Sequence, residues 1–525
     1  MHPSLTETKP SVTLQVPGTL GEYRTILSGS GSLVELTGGA SDLGDLPITH
    51  VSYDSRSIRE GSLFICKGAA FKEEYLLQAI ESGAVAYVSQ TPYPRAHVPG
   101  LIVDDIRAVL APLAARAYGY PASDLRISTF TGTKGKTTSS FYLKSILDKD
   151  AKERGGAPTA LISSVVVDDG AERIPSKLTS PEPLELNLYL ARARRAGASD
   201  VVMESSSQAL KYGRVAGLRF AVGAFTNISE DHISPIEHPT FEDYFSSKLG
   251  LFAQCDAAVV NLDMDRVDEV LSAAKACERT ITYSLSDPSA DVTAISIEQR
   301  GHRTLMQVRT PRFTGSVLVS SVADFNLSNA LGAIACAEAL GASQDAIENG
   351  LADVQVPGRM EYIPSPDPEV TGIVDFAHNE VSLRALLGNV RRSYPDRELC
   401  VVFGATGDKG IDRREGMGRA AGELADRIIA TEDDAGTEDV RSICETIRRF
   451  ALDAGATDVV IEPDRERAMR LAIRGRRGPS VVVLAGKGSE RHMARPGGYV
   501  PYEGDAEIFG RVLVEELGGG ARDER

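Results

Sequence analysis

The stretch GTKGKTT, residues 132–138, sets two glycines, two lysines and three threonines side by side. It follows the apolar run LRISTF and precedes SSFYLKSIL, so it reads as the loop between a strand and a helix. Glycines free backbone N–H groups there, and the helix N-terminus adds its positive end, which makes a seat for anionic oxygens. A nucleotide phosphate is the expected guest. In that reading Gly132, Thr133, Lys134 and Gly135 wrap the phosphates and Lys136 reaches the outer ones, while Thr137, with Thr138 beside it, offers a hydroxyl to magnesium. The strict phosphate-loop pattern asks for glycine where Phe130 stands, so the match is to a shorter form.

Candidate metal ligands lie farther on. Glu204 ends DVVME, His232 lies in SEDH and Lys248 in YFSSK. Alone, each has an ordinary explanation: a solvated loop carboxylate, a structural histidine, a helix lysine facing water. Polar groups also close other apolar runs: Asn227 after AVGAFT, Asp263 after AAVVNL, Asp375 and His378 in GIVDFAHN, Asp433 in RIIATEDD, and Lys487 and Glu490 in SVVVLAGKGSE. The runs that must hold these groups alternate with longer amphipathic stretches. That is the pattern of an α/β protein with largely parallel sheets, whose ligands gather at the carboxyl ends of strands.

Three blocks follow from the punctuation. Residues 1–122 end at a linker around Pro121 and Ser123, the phosphate loop opens residues 123–356, and Pro357 and Gly358 introduce residues 357–525. The closing GGGARDER reads as a disordered tail. With 525 residues, 42% hydrophobic and 25% charged, the chain is long enough for several cores. Its apolar runs fall short of the ~18 residues that span a bilayer, and the N-terminus shows no secretory pattern, so the cytoplasm is the expected compartment. Six widely spaced cysteines form no zinc pattern and are expected to be reduced thiols. A net charge of −16 argues against a general grip on nucleic acid; anionic ligands must be met by local lysines and arginines.

Taken in order, DSR (54–56), GTKGKTT, MESSSQAL (203–210), TNISEDH (226–232), YFSSK (244–248), NLSNALGAIA (326–335), PGRME (357–361), DFAHN (375–379) and AGKGSE (485–490) resemble the Mur ligase family. That family consists of ATP-dependent ligases that build the peptide stem of bacterial cell-wall precursors, and it uses the short loop form. The resemblance implies a three-domain α/β architecture: a UDP-binding N-terminal domain, a central P-loop ATPase domain and a Rossmann-like C-terminal domain that binds the amino acid. It is nearest to the branch that adds a diamino acid to UDP-N-acetylmuramoyl-L-alanyl-D-glutamate. The γ-phosphoryl of ATP would pass to the D-glutamate carboxylate, and the amine would attack the resulting acyl phosphate. Ser55, Arg56, Thr179, Ser180, Ser206 and Arg214 match positions that contact the UDP-substrate. Thr137 would hold one magnesium and Glu204 and His232 a second, with Lys248 carbamylated by CO2 to support it. Asn326, Asn329, Arg359 and Asp375 match nucleotide-contacting positions, although Ala323 replaces the family's glycine before the Phe-Asn pair. Separate domains carrying separate substrates imply hinge closure, and a monomer is expected.

The added amino acid is read from Asp433-Asp434-Ala435-Gly436, which stands where diaminopimelate-adding members carry Asn-Pro-Arg after the first aspartate. Gly436 replaces the arginine that would pair with a second carboxylate, and acidic groups remain to meet a terminal ammonium. By resemblance, Asp433 with Glu490 forms that clamp, Asp434 adds charge and Lys409 takes the α-carboxylate. L-lysine is expected, with L-ornithine, one methylene shorter, and meso-diaminopimelate as alternatives. A folylpolyglutamate synthase shares the loop and chemistry but generally lacks the N-terminal UDP domain. A non-catalytic nucleotide-binding regulator would be expected to have lost Lys136, Glu204, His232 or Lys248, and all four are present.

Overall fold

The apolar runs become strands buried on both faces, which is why they read as unbroken hydrophobic stretches rather than alternating ones. In the computed structural model, which describes residues 14–39, 43–68, 70–231, 233–234, 237–408 and 410–518, the chain forms two units. The first runs through Thr293 and also holds Thr310–Arg312 and Gly332–Ile347; the second holds Ala294–Arg309, Phe313–Leu331 and the chain from Glu348 onward.

The first unit carries two main sheets. One orders Leu33–Thr37, Gly100–Val103, Ala84–Ser89, Ser62–Ile65 and His50–Ser52, with only the first pair antiparallel. The other has a parallel run in the order Ala160–Ile162, Asp200–Glu204, Arg126–Thr131, Phe220–Phe225, Cys255–Asn261 and Arg279–Ser284. The helix Pro183–Arg195 joins the layers: Leu184 and Ala191 pack into the N-terminal core, whereas Leu186, Leu190 and Ala193 pack under the second sheet. Arg126–Thr131 is central, with Glu204 in register with Phe130 on one side and Phe225 with Thr131 on the other. The loop after Thr131 therefore leaves the sheet between the ends that carry Glu204 and Asn227. Helix Lys136–Glu153 follows it, with Gly135 at the N-cap in a left-handed conformation, φ 87°.

The second unit holds a six-stranded sheet in the order Glu361–Ile363, Val370–Asp375, Ser480–Ala485, Glu398–Phe403, Arg427–Ala430 and Val459–Ile461, parallel except at the first strand. Alternate residues feed two cores: Val481 and Val483 face one layer, Val482 and Leu484 the other. Asp375, Asp433 and Lys487 all lie at or just beyond the carboxyl ends of these strands. The six cysteines are unpaired. Among the described residues, no helix is long and apolar enough to cross a membrane.

Candidate active site

The phosphate loop closes on itself through its lysine. Lys136 Nζ donates to the carbonyls of Gly132 at 2.8 Å and Thr133 at 3.1 Å, the geometry of a cation held over a ring of backbone oxygens. Gly132 has φ 138°, and a Cβ there would lie 2.1 Å from Thr226 Oγ1, so only glycine lets the loop pass. The neighbouring strand end fixes the rest. Asn227 accepts from the Lys134 amide through Oδ1 and from the Thr133 amide through its carbonyl, and Lys134 pairs with Asp231 at 3.1 Å.

Beside the loop, Ser164 links the two oxygen donors expected to serve metal. Its hydroxyl lies 2.9 Å from Thr137 Oγ1, and its amide donates to Glu204 Oε1 at 2.7 Å. Glu204 is buried at 1% exposure. A buried carboxylate and a hydroxyl drawn together through one residue form a hard-oxygen donor set that fits magnesium. His232 falls outside the described residues. Ser164 carries no motif that sequence reading could have used; its place comes from the turn after Ala160–Ile162.

Lys248 comes from the last turn of helix Phe241–Leu249, which Thr240 caps by accepting from the Asp243 amide. Its Nζ donates to the same Gly132 carbonyl as Lys136, again at 2.8 Å, and lies 4.5 Å from the Tyr244 ring centre. Two lysines thus converge on one oxygen. Burial, then the Lys136 charge, pushes the Lys248 amine well below the ordinary lysine range, against a weaker pull from Asp231.

The same helix is tied to the helix that follows Glu204 by a second buried group. His238 Nε2 lies 2.9 Å from Ser207 Oγ and Nδ1 lies 2.6 Å from Asp243 Oδ2, which also accepts from Lys211 at 2.6 Å. This is the connectivity of a nucleophilic triad, but His238 is 0% and Ser207 4% exposed, so the relay binds helix Ser207–Lys211 to helix Phe241–Leu249 and meets no substrate. Ser206, one residue earlier, caps the short helix through the Ala209 amide, and its own amide donates to Ser180 Oγ at 2.9 Å. Ser180 in turn donates to the Glu204 carbonyl at 2.9 Å. Thr179, next to Ser180, is half-buried.

Between the N-terminal sheet and this region lies a cavity of about 640 Å³, whose lining includes Lys67, Phe71, Tyr93, Arg107, Glu182 and Arg214. Glu182 pairs with Lys67 and with Arg214 Nε, the latter at 2.9 Å, so one carboxylate spans the seam. Of the residues expected to meet the UDP-substrate, Arg214 lines this cavity. Ser55 and Arg56 do not: Ser55 donates to Gln78, and Arg56 makes an exposed bidentate pair with Asp54. Arg107 and Glu182 lie outside the motifs read from the sequence, and only folding brings them together with Lys67.

In the second unit, Asp375 fixes a loop. Its two oxygens accept the Met360 and Ala377 amides, both at 2.8 Å, and Arg359 stacks over Phe376 with its guanidinium carbon 4.5 Å from the ring centre. Asn326 and Asn329 are buried and hydrogen-bonded to each other at 3.2 Å. At the expected amino-acid clamp, Lys487 Nζ bonds Asp434 Oδ1 at 2.8 Å and Glu490 Oε2 at 2.6 Å, with Asp433 Oδ1 at 3.8 Å. Asp433 is the deepest carboxylate, and burial raises its pKa. Asp434 is held below the ordinary range: burial raises it, but the Lys487 bond and the Ala494 amide outweigh that. The more accessible pair is therefore Asp434 with Glu490. Behind them, the fully buried Arg465 pairs with Asp505 and donates to the carbonyls of Glu432 and Ala485, pinning the two strand ends that carry the cluster. Gly436 has φ 59°, and a Cβ there would lie 2.0 Å from Asp408 Oδ2. Lys409 falls outside the described residues.

Residues 130–337 match the Mur ligase middle domain, and residues 358–488 the Mur ligase glutamate ligase domain. A UDP-N-acetylmuramyl-tripeptide synthetase of Lactobacillus delbrueckii subsp. bulgaricus is 38% identical over 488 residues, covering 89% of this chain and 93% of the relative. A UDP-N-acetylmuramoyl-L-alanyl-D-glutamate--L-lysine ligase of Enterococcus faecalis is 38% identical over 475 residues, covering 89% and 92%. Among solved structures, a UDP-N-acetylmuramoyl-L-alanyl-D-glutamate--2,6-diaminopimelate ligase superposes with TM-score 0.66 at 24% identity, over 95% of this chain and 99% of that one, a likeness of fold. Similarity of this extent, running through both the loop and the second unit, means that the chain belongs to the Mur ligase family.

Proposed function

We propose that this ATP-dependent ligase of peptidoglycan synthesis joins L-lysine to the D-glutamate of UDP-N-acetylmuramoyl-L-alanyl-D-glutamate. The observation that carries the lysine reading is Gly436. It is left-handed, and a Cβ there would meet Asp408 Oδ2, so the position lacks the arginine that would pair with a second carboxylate and its backbone disfavours one. The nearby Asp433, Asp434 and Glu490 suit an ammonium instead. The Enterococcus faecalis relative, named as an L-lysine ligase, supports the same choice.

In this reading the loop around Lys136 takes the ATP phosphates, and the ammonium that now rests on the Gly132 and Thr133 carbonyls turns to them. Thr137, Glu204 and His232 would hold magnesium, which when bound offsets the repulsion between ATP and the substrate carboxylate. Lys248 is suited to carbamylation because its depressed pKa favours the neutral amine, whose lone pair can attack CO2 with loss of a proton. The cavity lined by Lys67, Arg107 and Arg214 suits the anionic UDP end, and Ser180 and Ser206 lie on the path from it to Glu204. Asn326, Asn329, Arg359 and Asp375 are read as the nucleotide side of the second unit. The enzyme is proposed to act as a cytoplasmic monomer.

Phosphate release from ATP with UDP-N-acetylmuramoyl-L-alanyl-D-glutamate tests this directly. L-lysine should stimulate it strongly and meso-diaminopimelate weakly. Preference for L-ornithine would move only the last step, because one methylene is worth only about 1–3 kcal/mol of discrimination. Preference for diaminopimelate would overturn the reading of Gly436.

A further inference from the structure

At the carboxyl edge of the second unit's sheet, the chain supplies a cation to its own acidic cluster. The Lys487 side chain has no exposed surface, whereas Asp434 keeps 16% and Glu490 30%, so the ammonium lies beneath and the carboxylates above it. Lys487 uses one oxygen of each, and Asp434 Oδ1 also accepts the Ala494 amide at 2.9 Å. Among the described residues, Asp434 Oδ2 and Glu490 Oε1 accept no hydrogen bond. His492 is a neighbour of the pair, with a ring nitrogen within 4.8 Å of an oxygen of each carboxylate. Three carboxyl groups face one ammonium, an excess that favours a second cation.

We propose, on the basis of the amino-acid-binding reading of this cluster, that Lys487 is a positioning and specificity-determining residue: a built-in ammonium that fills the inner seat between Asp434 and Glu490 and leaves their outer oxygens to one incoming ammonium. It acts in two ways. It holds two like charges at a spacing already suited to N–H donors, and it sets a floor that an aminoalkyl chain cannot pass. The length of the diamino acid is then read against that floor.

The test is steady-state phosphate release by Lys487→Met and by Lys487→Ala, the latter with and without methylammonium, a free cation that the space left by the shortened side chain can admit. The KM for L-lysine should rise tenfold or more while those for ATP and the UDP-substrate stay within twofold. Methylammonium should recover part of the loss, which a merely structural role would not allow. An unchanged KM for L-lysine, an equal rise for all three substrates, or no recovery would each overturn the proposal. If Lys487→Met does not fold, Glu490→Gln removes charge from the outer seat; an L-lysine KM unchanged in that variant overturns the proposal equally. A wild-type enzyme that no diamino acid stimulates would instead sink the amino-acid reading beneath it, and the proposal with it.

Discussion

At the scale of single residues, function sits where the fold tolerates charge poorly. Lys248 is buried against Lys136, and both donate to one carbonyl, so its ammonium form is held against desolvation and like-charge repulsion. The folded protein therefore binds this proton more weakly than the unfolded chain does. Stability should rise with pH between the depressed folded pKa and the ordinary lysine value of 10.5. Lys248→Met removes the buried charge and leaves Gly132 its bond from Lys136. In bicarbonate-free buffer the variant should melt about 2 °C or more above wild type at pH 7, with the gain fading toward pH 10.5, while phosphate release is lost. A lower melting temperature at pH 7 would refute this account. Gly436 makes the converse case. Gly436→Arg, the obvious change toward diaminopimelate, forces a side chain into a left-handed position 2.0 Å from Asp408 Oδ2. It should lower the melting temperature and reduce activity with every diamino acid; a stable variant that turns over diaminopimelate would show that the loop can open.

At the scale of elements, the site depends on how short helices are held. The His238 relay joins the helix behind Ser206 to the helix that presents Lys248, and its two contacts to Asp243 are short, at 2.6 Å. His238→Ala leaves Ser207 without its imidazole partner and Asp243 with Lys211 alone, and should cost about 1–3 kcal/mol in a denaturant melt, with kcat falling because Lys248 is no longer fixed. A variant with wild-type stability and kcat would reduce the relay to ornament. This contrast also shows what the sequence could disclose. The phosphate loop was legible because its chemistry is contiguous: Gly132, Gly135 and Lys136 act within one turn. Glu204 and Asp375 were legible because each ends an apolar run, and parallel strands bring such ends to one edge. Ser164, Glu182 and His238 were not, since each works through a partner 27 or more residues away: Thr137 and Glu204, Lys67 and Arg214, Ser207. Arg56 has a motif, and its exposed pairing with Asp54 is one that spacing alone does not predict.

At the scale of the whole molecule, the proposed reaction draws on residues of two units. The phosphate loop, Glu204 and Lys248 belong to the first, whereas Asp375 and the Asp434, Lys487 and Glu490 cluster belong to the second. In the proposed reaction an acyl phosphate is attacked only by an amine within bonding reach and decays if water arrives first, so groups of both units are expected to act on one intermediate. Charge adds a second requirement. With a net charge of −16 and two anionic substrates, local cations such as Lys136 and Arg214 must be in place before ATP and the UDP-substrate can share a site. Binding of both should therefore drive a change of interunit geometry that neither produces fully alone. Small-angle scattering with a non-hydrolysable ATP analogue, the UDP-substrate, or both provides the check: the pair together should shift the radius of gyration beyond the effect of either ligand. Equal profiles in all states, from an enzyme shown to turn over, would mean that the units already stand in their working arrangement and that only side chains move.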